Sequence, residues 1–158
     1  MPEQVSDLKV RNVQIRLHRA GRGPTVLFLH GAGGVPQWLP FFDALAEHYE
    51  LLVPEHPGFG GSADPPWIRS MADLAMFYLD LVEEAGLDRV HLIGNSLGGW
   101  LAAEILIRDR SRFNSLSSWR RPASASKACH AATTSSGGRR RRCATSTTTS
   151  PSPTASWR

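Results

Sequence analysis

The stretch VHLIGNSLGG, residues 90–99, decides the fold. Its first four residues form an apolar run that is typical of a buried strand. The next five, G-N-S-L-G, match the pattern G-x-S-x-G, in which a sharp turn from strand to helix exposes a serine hydroxyl. Glycine two residues before and after the serine leaves the room that such a turn needs. The pattern therefore predicts an exposed Ser96 at the end of a central strand.

Three further segments predict strands. Residues 26–29 and 51–53 are continuous apolar runs, which suit a parallel sheet covered on both faces. Residues 13–17 alternate apolar and polar side chains, as in a strand with one face in solvent. Apolar residues at helical spacing predict helices over 40–49, 71–85 and 97–107. This alternation predicts an α/β fold with a parallel sheet and flanking helices.

The predicted helices differ in how clearly the sequence marks their ends and faces. In the second helix, Ser70 followed by Asp73 resembles a capping box at the N-terminus. Gly86 is suited to cap the C-terminus. The third helix is apolar on nearly all sides, so we expect it to be buried.

A glycine-rich loop, HGAGG at residues 30–34, follows the strand predicted over 26–29. Small residues at the end of a strand leave backbone N–H groups free to point into a site, where they can stabilise an oxyanion. An ordinary tight turn or a phosphate-binding loop is the alternative. A P-loop needs Gly-Lys-Ser/Thr next, but Val35, Pro36 and Gln37 follow, and the dinucleotide pattern G-x-G-x-x-G also fails.

The composition changes abruptly at Ser115. All 14 acidic residues and 10 of the 18 basic residues lie within residues 1–114, so the net charge of +4 combines −4 there with +8 in residues 115–158. Leu116 is the only Val, Ile, Leu, Met or Phe of the second segment. So little apolar surface does not offset about 1–2 kcal/mol of backbone entropy per residue. We therefore expect one folded unit over 1–114 and a basic Ser/Thr/Ala/Arg-rich tail over 115–158 that is disordered or out of frame.

Three segments carry a resemblance to a known family: HGAGG at 30–34, HPGFGGS at 56–62 and GNSLGG at 94–99. Together they resemble the N-terminal half of an α/β-hydrolase-fold enzyme, over about residues 8–114. The resemblance implies an incomplete α/β-hydrolase fold and a serine hydrolase that acts on an ester, thioester or carbon–carbon bond of a small substrate. Epoxide hydrolases and haloalkane dehalogenases are also similar, but they carry aspartate where this chain has Ser96.

The resemblance also implies roles for individual residues. Ser96 would be the nucleophile, and the N–H groups of Leu97 and of Ala32 or Gly33 would form the oxyanion hole. His30 would mainly support the loop, with a catalytic role as the alternative. The residues that would support the turn and the loop are His30, Gly31, Gly94, Asn95 and Gly98.

The family's catalytic acid and histidine follow the serine along the chain. Glu104 and Asp109 are the only acids after Ser96, and both fall on the helix that leaves the turn, too far along it to orient a histidine. The only later histidine, His130, lies in the predicted tail. Without a base, a serine hydroxyl is a poor nucleophile. We therefore expect this chain to be inactive, and an inert fragment is the alternative to an enzyme.

No cofactor, metal or membrane is expected to take part. Cys129 and Cys143 match neither a zinc spacing nor a disulfide framework, and no signal peptide or 18-residue apolar run occurs, so we expect a cytoplasmic protein. Arg139 to Arg142 would suit phosphate contacts of a nucleic acid, the second alternative function. Nucleic acid is not the expected partner, because the tail lacks interleaved aromatic residues and the folded part has no basic face. A small-molecule substrate is expected instead.

A change of reading frame accounts for the break in composition. With the common codon families, the segment from Leu116 to Ser124, read from the third base of each codon, can encode Val-Leu-Val-Ala-Pro-Ala-Gly-Ile. That is an apolar strand and a turn, at the place where the family has the strand after the helix that follows the serine.

We predict one small insertion or deletion near codons 110–117 of the gene, because the composition changes at Ser115. Sequencing the coding DNA and restoring the frame should reveal further strands, followed by an aspartate and then a histidine. An early stop codon, or another low-complexity stretch, in the restored frame would contradict this explanation.

Overall fold

A computed structural model describes residues 3–119 and 155–156. The strands and helices of this part of the chain are β1 Gln4–Val10, β2 Val13–Ala20, β3 Thr25–Leu29, α1 Pro40–Ala46, β4 Glu50–Pro54, α2 Met71–Glu84, β5 Val90–Asn95, α3 Leu97–Arg108, β6 Phe113–Trp119 and β7 Ala155–Ser156.

The strands form one mixed sheet in the order β1-β2-β4-β3-β5-β6-β7. The parallel sheet predicted from the sequence is confirmed for β4, β3, β5 and β6. The strands outside these four are antiparallel to their neighbours. Since β3 lies between β4 and β5, the carboxyl ends of these three parallel strands meet at one edge of the sheet.

Strand β1 is an element that the apolar pattern does not predict, because most of its side chains are exposed. It joins β2 through Arg11 and Asn12, whose φ angles are 45° and 66°. Positive φ at both central residues is typical of a type I′ hairpin turn. Neither residue is glycine, so the sequence carries only a weak signal for this turn.

The two faces of the sheet carry separate apolar cores. On one face, α2 and α3 pack against alternate strand residues that include Leu27, Leu29 and Leu92. On the other face, α1 packs against the intervening residues, among them Val26 and Phe28. Coverage on both faces explains why β3, β4 and β5 are continuous apolar runs rather than alternating ones.

The ends of α2 confirm its predicted caps. The backbone N–H of Asp73 donates to Ser70 Oγ over 3.1 Å, and Ser70 Oγ donates to the Asp73 carboxylate over 2.8 Å. Gly86, just after the helix, has a φ of 63°. At 14 residues, α2 is the longest helix of the described residues, and none of those helices is long and apolar enough to cross a membrane.

Two helices differ from their predicted extent or burial. Helix α1 ends at Ala46 instead of reaching Tyr49, because the chain must turn to enter β4 at Glu50. In α3, Trp100 is 57% exposed and Ile107 is 78% exposed, so the expectation of burial on all sides is wrong. A helix that packs on a sheet buries one face, and the apolar pattern alone does not show whether another element covers the opposite face.

Strand β6 crosses the boundary predicted at residue 114. It pairs with β5 in parallel over Phe113–Trp119, so the disorder expected from Ser115 onward is wrong for residues 115–119. The scarcity of apolar side chains does not prevent this strand, because a strand ladder is made by backbone groups that every residue here carries. His91 Nδ1 also lies 2.7 Å from Ser115 Oγ. The rest of the predicted tail, apart from 155–156, lies outside the described residues.

Candidate active site

Ser96 is the single residue between β5 and α3. Its backbone has φ 53° and ψ −108°, a conformation that non-glycine residues rarely adopt and that costs about 1–3 kcal/mol. Its side chain is exposed. The chain thus maintains a strained turn that raises one hydroxyl above the carboxyl edge of the sheet.

Steric crowding explains why glycine stands two residues on either side of this serine. A Cβ on Gly94 would lie 2.6 Å from the Gly98 carbonyl oxygen. A Cβ on Gly98 would overlap the carbonyl oxygen of Leu29, at the end of β3. The beginning of α3 therefore packs backbone to backbone against two neighbouring strands.

The loop at residues 30–34 forms a tight turn beside the serine. The N–H of Gly34 donates to the Gly31 carbonyl oxygen over 3.0 Å, so Ala32 and Gly33 occupy the two central positions. Both central residues are exposed, and their N–H groups take no part in the turn's own hydrogen bond. A Cβ on Gly31 would lie only 3.5 Å from Ser96 Cβ.

The structure thus brings together the residues that the sequence predicts for the site. Leu97 is the first residue of α3, where a backbone N–H has no partner within the helix. Asn95, at the end of β5, lies against Gly31. A cavity of about 60 Å³ beside the turn is lined by Gly31, Gly34 and Asn95 among others.

His30 supports the loop through both of its ring nitrogens. The backbone N–H of His56 donates to His30 Nε2 over 2.9 Å, so this nitrogen carries no proton. The proton therefore lies on Nδ1, which is 2.7 Å from the Gly31 carbonyl oxygen and donates to it. With 2% of its surface exposed and both nitrogens bonded, His30 has no free nitrogen to accept a proton from a nearby hydroxyl.

His56 continues the same network away from the loop. Its Nε2 lies 3.0 Å from the His30 carbonyl oxygen and donates to it, so its Nδ1 accepts from the Tyr78 hydroxyl over 2.5 Å. The two imidazole rings stack with their centroids 3.7 Å apart. Tyr78 is not among the residues predicted for the site, because it falls on the apolar face of α2 like any core residue. The adjacency of β3 and β4 is the signal that would have paired the two histidines, because His30 directly follows β3 and His56 lies two residues after the end of β4.

Burial keeps this network uncharged. It lowers the pKa of His30 below the ordinary 6.5 and lowers the pKa of His56 to about 3. Burial also raises the pKa of Tyr78 well above its ordinary value. All three groups are therefore neutral at pH 7, which is the state that their hydrogen bonds require.

His18 and Glu55 form a second cluster near this edge of the sheet. The His18 ring lies between two carboxylates, with Nδ1 2.5 Å from Glu3 Oε1 and Nε2 3.3 Å from Glu55 Oε1. Only 12% of the His18 side chain is exposed, so the ring is nearly buried beside the two carboxylates. The reason is the antiparallel pairing of β2 with β4, which sets His18 beside the end of β4. Glu55 also accepts the N–H of Gly61 and so holds the following loop.

The two acids after the serine are bound elsewhere. Glu104 accepts a hydrogen bond from Arg108, and Asp109 accepts the backbone N–H of Ser111. These bonds hold the pKa of both carboxyls below the ordinary range. His130 lies outside the described residues. Among residues 3–119, no cluster of three His, Cys, Asp or Glu side chains is placed to hold a metal ion.

A family comparison agrees with this architecture. The sequence model for the alpha/beta hydrolase fold matches residues 24–119, which include β3 through β6.

Curated relatives include enzymes with different reactions. A pimeloyl-[acyl-carrier protein] methyl ester esterase from Aeromonas salmonicida is 32% identical over 66% of this chain and 40% of its own length. A 2-hydroxy-6-oxo-2,4-heptadienoate hydrolase from Pseudomonas putida is 33% identical over 61% of this chain and 37% of its own. The chain spans less than half the length of the curated relatives that it matches.

Solved structures have the same arrangement. A bacterial membrane phospholipase A superposes with a TM-score of 0.68 and 31% identity, over 73% of this chain and 39% of that one. Naproxen esterase from Bacillus subtilis superposes with a TM-score of 0.68 over 73% of this chain and 42% of that one. At 24% identity, the second likeness concerns the fold alone.

Substitution of Gly98 tests the packing beneath the serine. We predict that Gly98→Ala destabilises the protein by at least about 1–3 kcal/mol, because the added methyl group overlaps the Leu29 carbonyl oxygen. Gly33→Ala is the matched control, since its Cβ would meet nothing within 4 Å, and its effect should stay within about 0.5 kcal/mol. Urea denaturation measures both, and equal stability of the two variants would contradict the packing argument.

Acid should destabilise the fold through His56. Its pKa is about 3 in the folded chain and about 6.5 when unfolded, so between these values only the unfolded state gains the proton. Stability from this group is complete above pH 6.5 and is lost as the pH falls toward 3, at up to about 1.4 kcal/mol per pH unit. Denaturant titrations at several pH values give the free energy of unfolding as a function of pH. In His56→Phe this free energy should fall less steeply with decreasing pH than in the unchanged protein. An unchanged slope would show that His56 titrates normally.

Proposed function

Because this chain belongs to the alpha/beta hydrolase fold family, we propose that it carries the nucleophile and oxyanion donors of a serine hydrolase. Ser96 is the nucleophile in this proposal. The backbone N–H of Leu97, with that of Ala32 or Gly33, binds the oxyanion.

The observation that carries the proposal is the strained backbone of the exposed residue Ser96, beside a turn whose two central residues, Ala32 and Gly33, are also exposed. A turn with φ 53° costs stability, and nothing in the packing of the strand or the helix requires the serine side chain itself. In this proposal the strain has a chemical use, because it would present Ser96 Oγ beside the first N–H of α3. Donors fixed in this way typically contribute about 3–4 kcal/mol each to transition-state stabilisation.

In the proposed reaction, Ser96 Oγ attacks the electrophilic carbon of the substrate and loses its proton to a base. The carbonyl π electrons move to oxygen, and the backbone donors bind the resulting oxyanion. The intermediate then collapses, the bond to the leaving group breaks, and the leaving group takes the proton. Water then attacks the carbonyl carbon of the acyl-serine and loses a proton to the base. The bond between that carbon and Ser96 Oγ breaks, and Ser96 Oγ takes the proton back.

The two histidines that adjoin the turn do not supply the base. The ring nitrogens of His30 and His56 are fully used in hydrogen bonds. His91 lies five residues before Ser96 along β5, about 16 Å away at strand spacing. We therefore propose that the 158-residue chain is inactive, as expected without a triad. An inert fragment is the alternative for the chain as it stands.

The proposed substrate class is a small molecule with an ester, thioester or cleavable carbon–carbon bond. The methyl ester esterase and the dienoate hydrolase among the relatives support this range. All three bonds are broken by attack at a carbonyl carbon, so one oxyanion site serves them equally. The residues proposed for nucleic-acid contacts, Arg139 to Arg142, lie outside the described residues.

A comparison of the chain with its Ser96→Ala variant tests the proposal. We expect the 158-residue chain to hydrolyse p-nitrophenyl acetate no faster than Ser96→Ala, because loss of a triad costs about a millionfold in turnover. A frame-restored protein should be active, and Ser96→Ala should abolish that activity. Ser6→Ala, on the exposed strand β1, is the matched control and should leave the activity unchanged.

Two outcomes would contradict parts of the proposal separately. Clear turnover by the 158-residue chain that depends on Ser96 would show that a base is already present. Turnover by the frame-restored protein that survives Ser96→Ala would show that Ser96 is not the nucleophile.

A further inference from the structure

We propose that His56 and Tyr78 are positioning residues for the oxyanion turn, and that they act through His30 to fix Ala32 and Gly33 relative to Ser96. This inference rests on the proposed function, because it concerns the donors of the same site.

A continuous chain of hydrogen bonds connects helix α2 to the turn. The Tyr78 hydroxyl donates to His56 Nδ1 over 2.5 Å, and His56 Nε2 donates to the His30 carbonyl oxygen over 3.0 Å. In the opposite direction, the His56 backbone N–H donates to His30 Nε2 over 2.9 Å. His30 Nδ1 then donates to the Gly31 carbonyl oxygen over 2.7 Å.

The directions of these bonds leave one arrangement of the rings. Each neutral imidazole has one donor and one acceptor, and both are used in each ring. Moving the proton of either ring would place two donors or two acceptors together, and flipping either ring would put a carbon where each bonded nitrogen lies. The site cannot compensate with water, because His56 is fully buried and His30 is 2% exposed. Buried polar groups that lack a hydrogen-bond partner are strongly disfavoured. The two rings, His30 and His56, therefore form a rigid spacer between the Tyr78 hydroxyl and the Gly31 carbonyl oxygen.

The Gly31 carbonyl oxygen is the point where the spacer meets the turn. It accepts from His30 Nδ1 and also from the Gly34 N–H that closes the turn. A Cβ on Gly31 would lie 3.2 Å from the Asn95 carbonyl oxygen and 3.5 Å from Ser96 Cβ. A displacement of this carbonyl would therefore change the position of the turn that carries Ala32 and Gly33 relative to the serine.

Tyr78 is the fixed end of the chain. It is fully buried, and its ring meets the His56 ring edge to face at 5.4 Å. Helix α2 also shares an apolar core with α3, which carries the N–H of Leu97. Helix α2 thereby positions both proposed sources of oxyanion donors. It holds α3, with the Leu97 N–H, through core packing, and it holds the turn of Ala32 and Gly33 through the two histidines.

Tyr78→Phe separates positioning from packing. The variant keeps the buried ring and removes only the hydroxyl that donates to His56. Tyr49→Phe is the matched control, because Tyr49 belongs to the core on the other face of the sheet. We expect hydrogen exchange at the Gly34 and His56 N–H groups to become at least about tenfold faster in Tyr78→Phe, with no change in Tyr49→Phe. Exchange at Leu92, in β5, should stay the same in all chains.

Nitrogen NMR of the histidine rings in the 158-residue chain reports which ring nitrogen carries the proton, a property that a change in packing alone would not alter. We expect the proton on Nδ1 of His30 and on Nε2 of His56 at pH 7. His56→Phe should accelerate exchange at Gly34, and His56→Gln, whose amide can still donate to the His30 carbonyl oxygen, should restore slow exchange at least in part. This pair keeps the test decisive if Tyr78→Phe does not fold.

A His30 ring protonated on Nε2 would overturn the proposal, because the spacer needs the opposite tautomer. Exchange at Gly34 that is equal in Tyr78→Phe and Tyr49→Phe would also overturn it, and so would equal exchange in His56→Phe and His56→Gln. None of these readouts depends on turnover. Failure of the nucleophile assignment is seen only in the Ser96→Ala comparison, so the two failures are distinguishable.

Discussion

The close approach of helix α3 to the carbonyl oxygen of Leu29 is the constraint on which the site depends. Only glycine fits at position 98, and this contact sets where the helix begins relative to β3 and β5. With the helix start fixed, the single linking residue, Ser96, must take positive φ to connect strand and helix. The exposure of its hydroxyl and the position of the Leu97 N–H both follow from this backbone packing.

Desolvation shapes the second half of the site. Two histidines at neighbouring strand ends stack with centroids 3.7 Å apart, an arrangement that two charged rings would not tolerate. Burial keeps them neutral, and the neutral rings satisfy one another's backbone through paired hydrogen bonds. The loop beside Ser96 thus gains rigidity from polar groups that contribute no charge to the site, which leaves its electrostatics to backbone dipoles.

Local patterns predicted much of this arrangement. The apolar runs identified β3, β4 and β5, the Ser70–Asp73 pair identified the start of α2, and the glycine spacing located the turn at Ser96. Each of these signals arises from residues close together in the chain. The hairpin strand β1 and the continuation of β6 beyond residue 114 gave no such signal, because backbone pairing with a neighbouring strand forms them and their side chains are largely polar or exposed.

The sequence by itself determined the α/β alternation, the strained turn and the glycine-rich loop, because steric limits and side-chain periodicity act over a few residues. Only the tertiary structure decided that His30 and His56 stack and that Tyr78 completes their hydrogen bonds. Those partners are 22 and 26 residues apart and meet only through the order of strands in the sheet. Strand order depends on long-range packing, so the roles of polar residues at strand ends are set by the fold rather than by their neighbours in the chain.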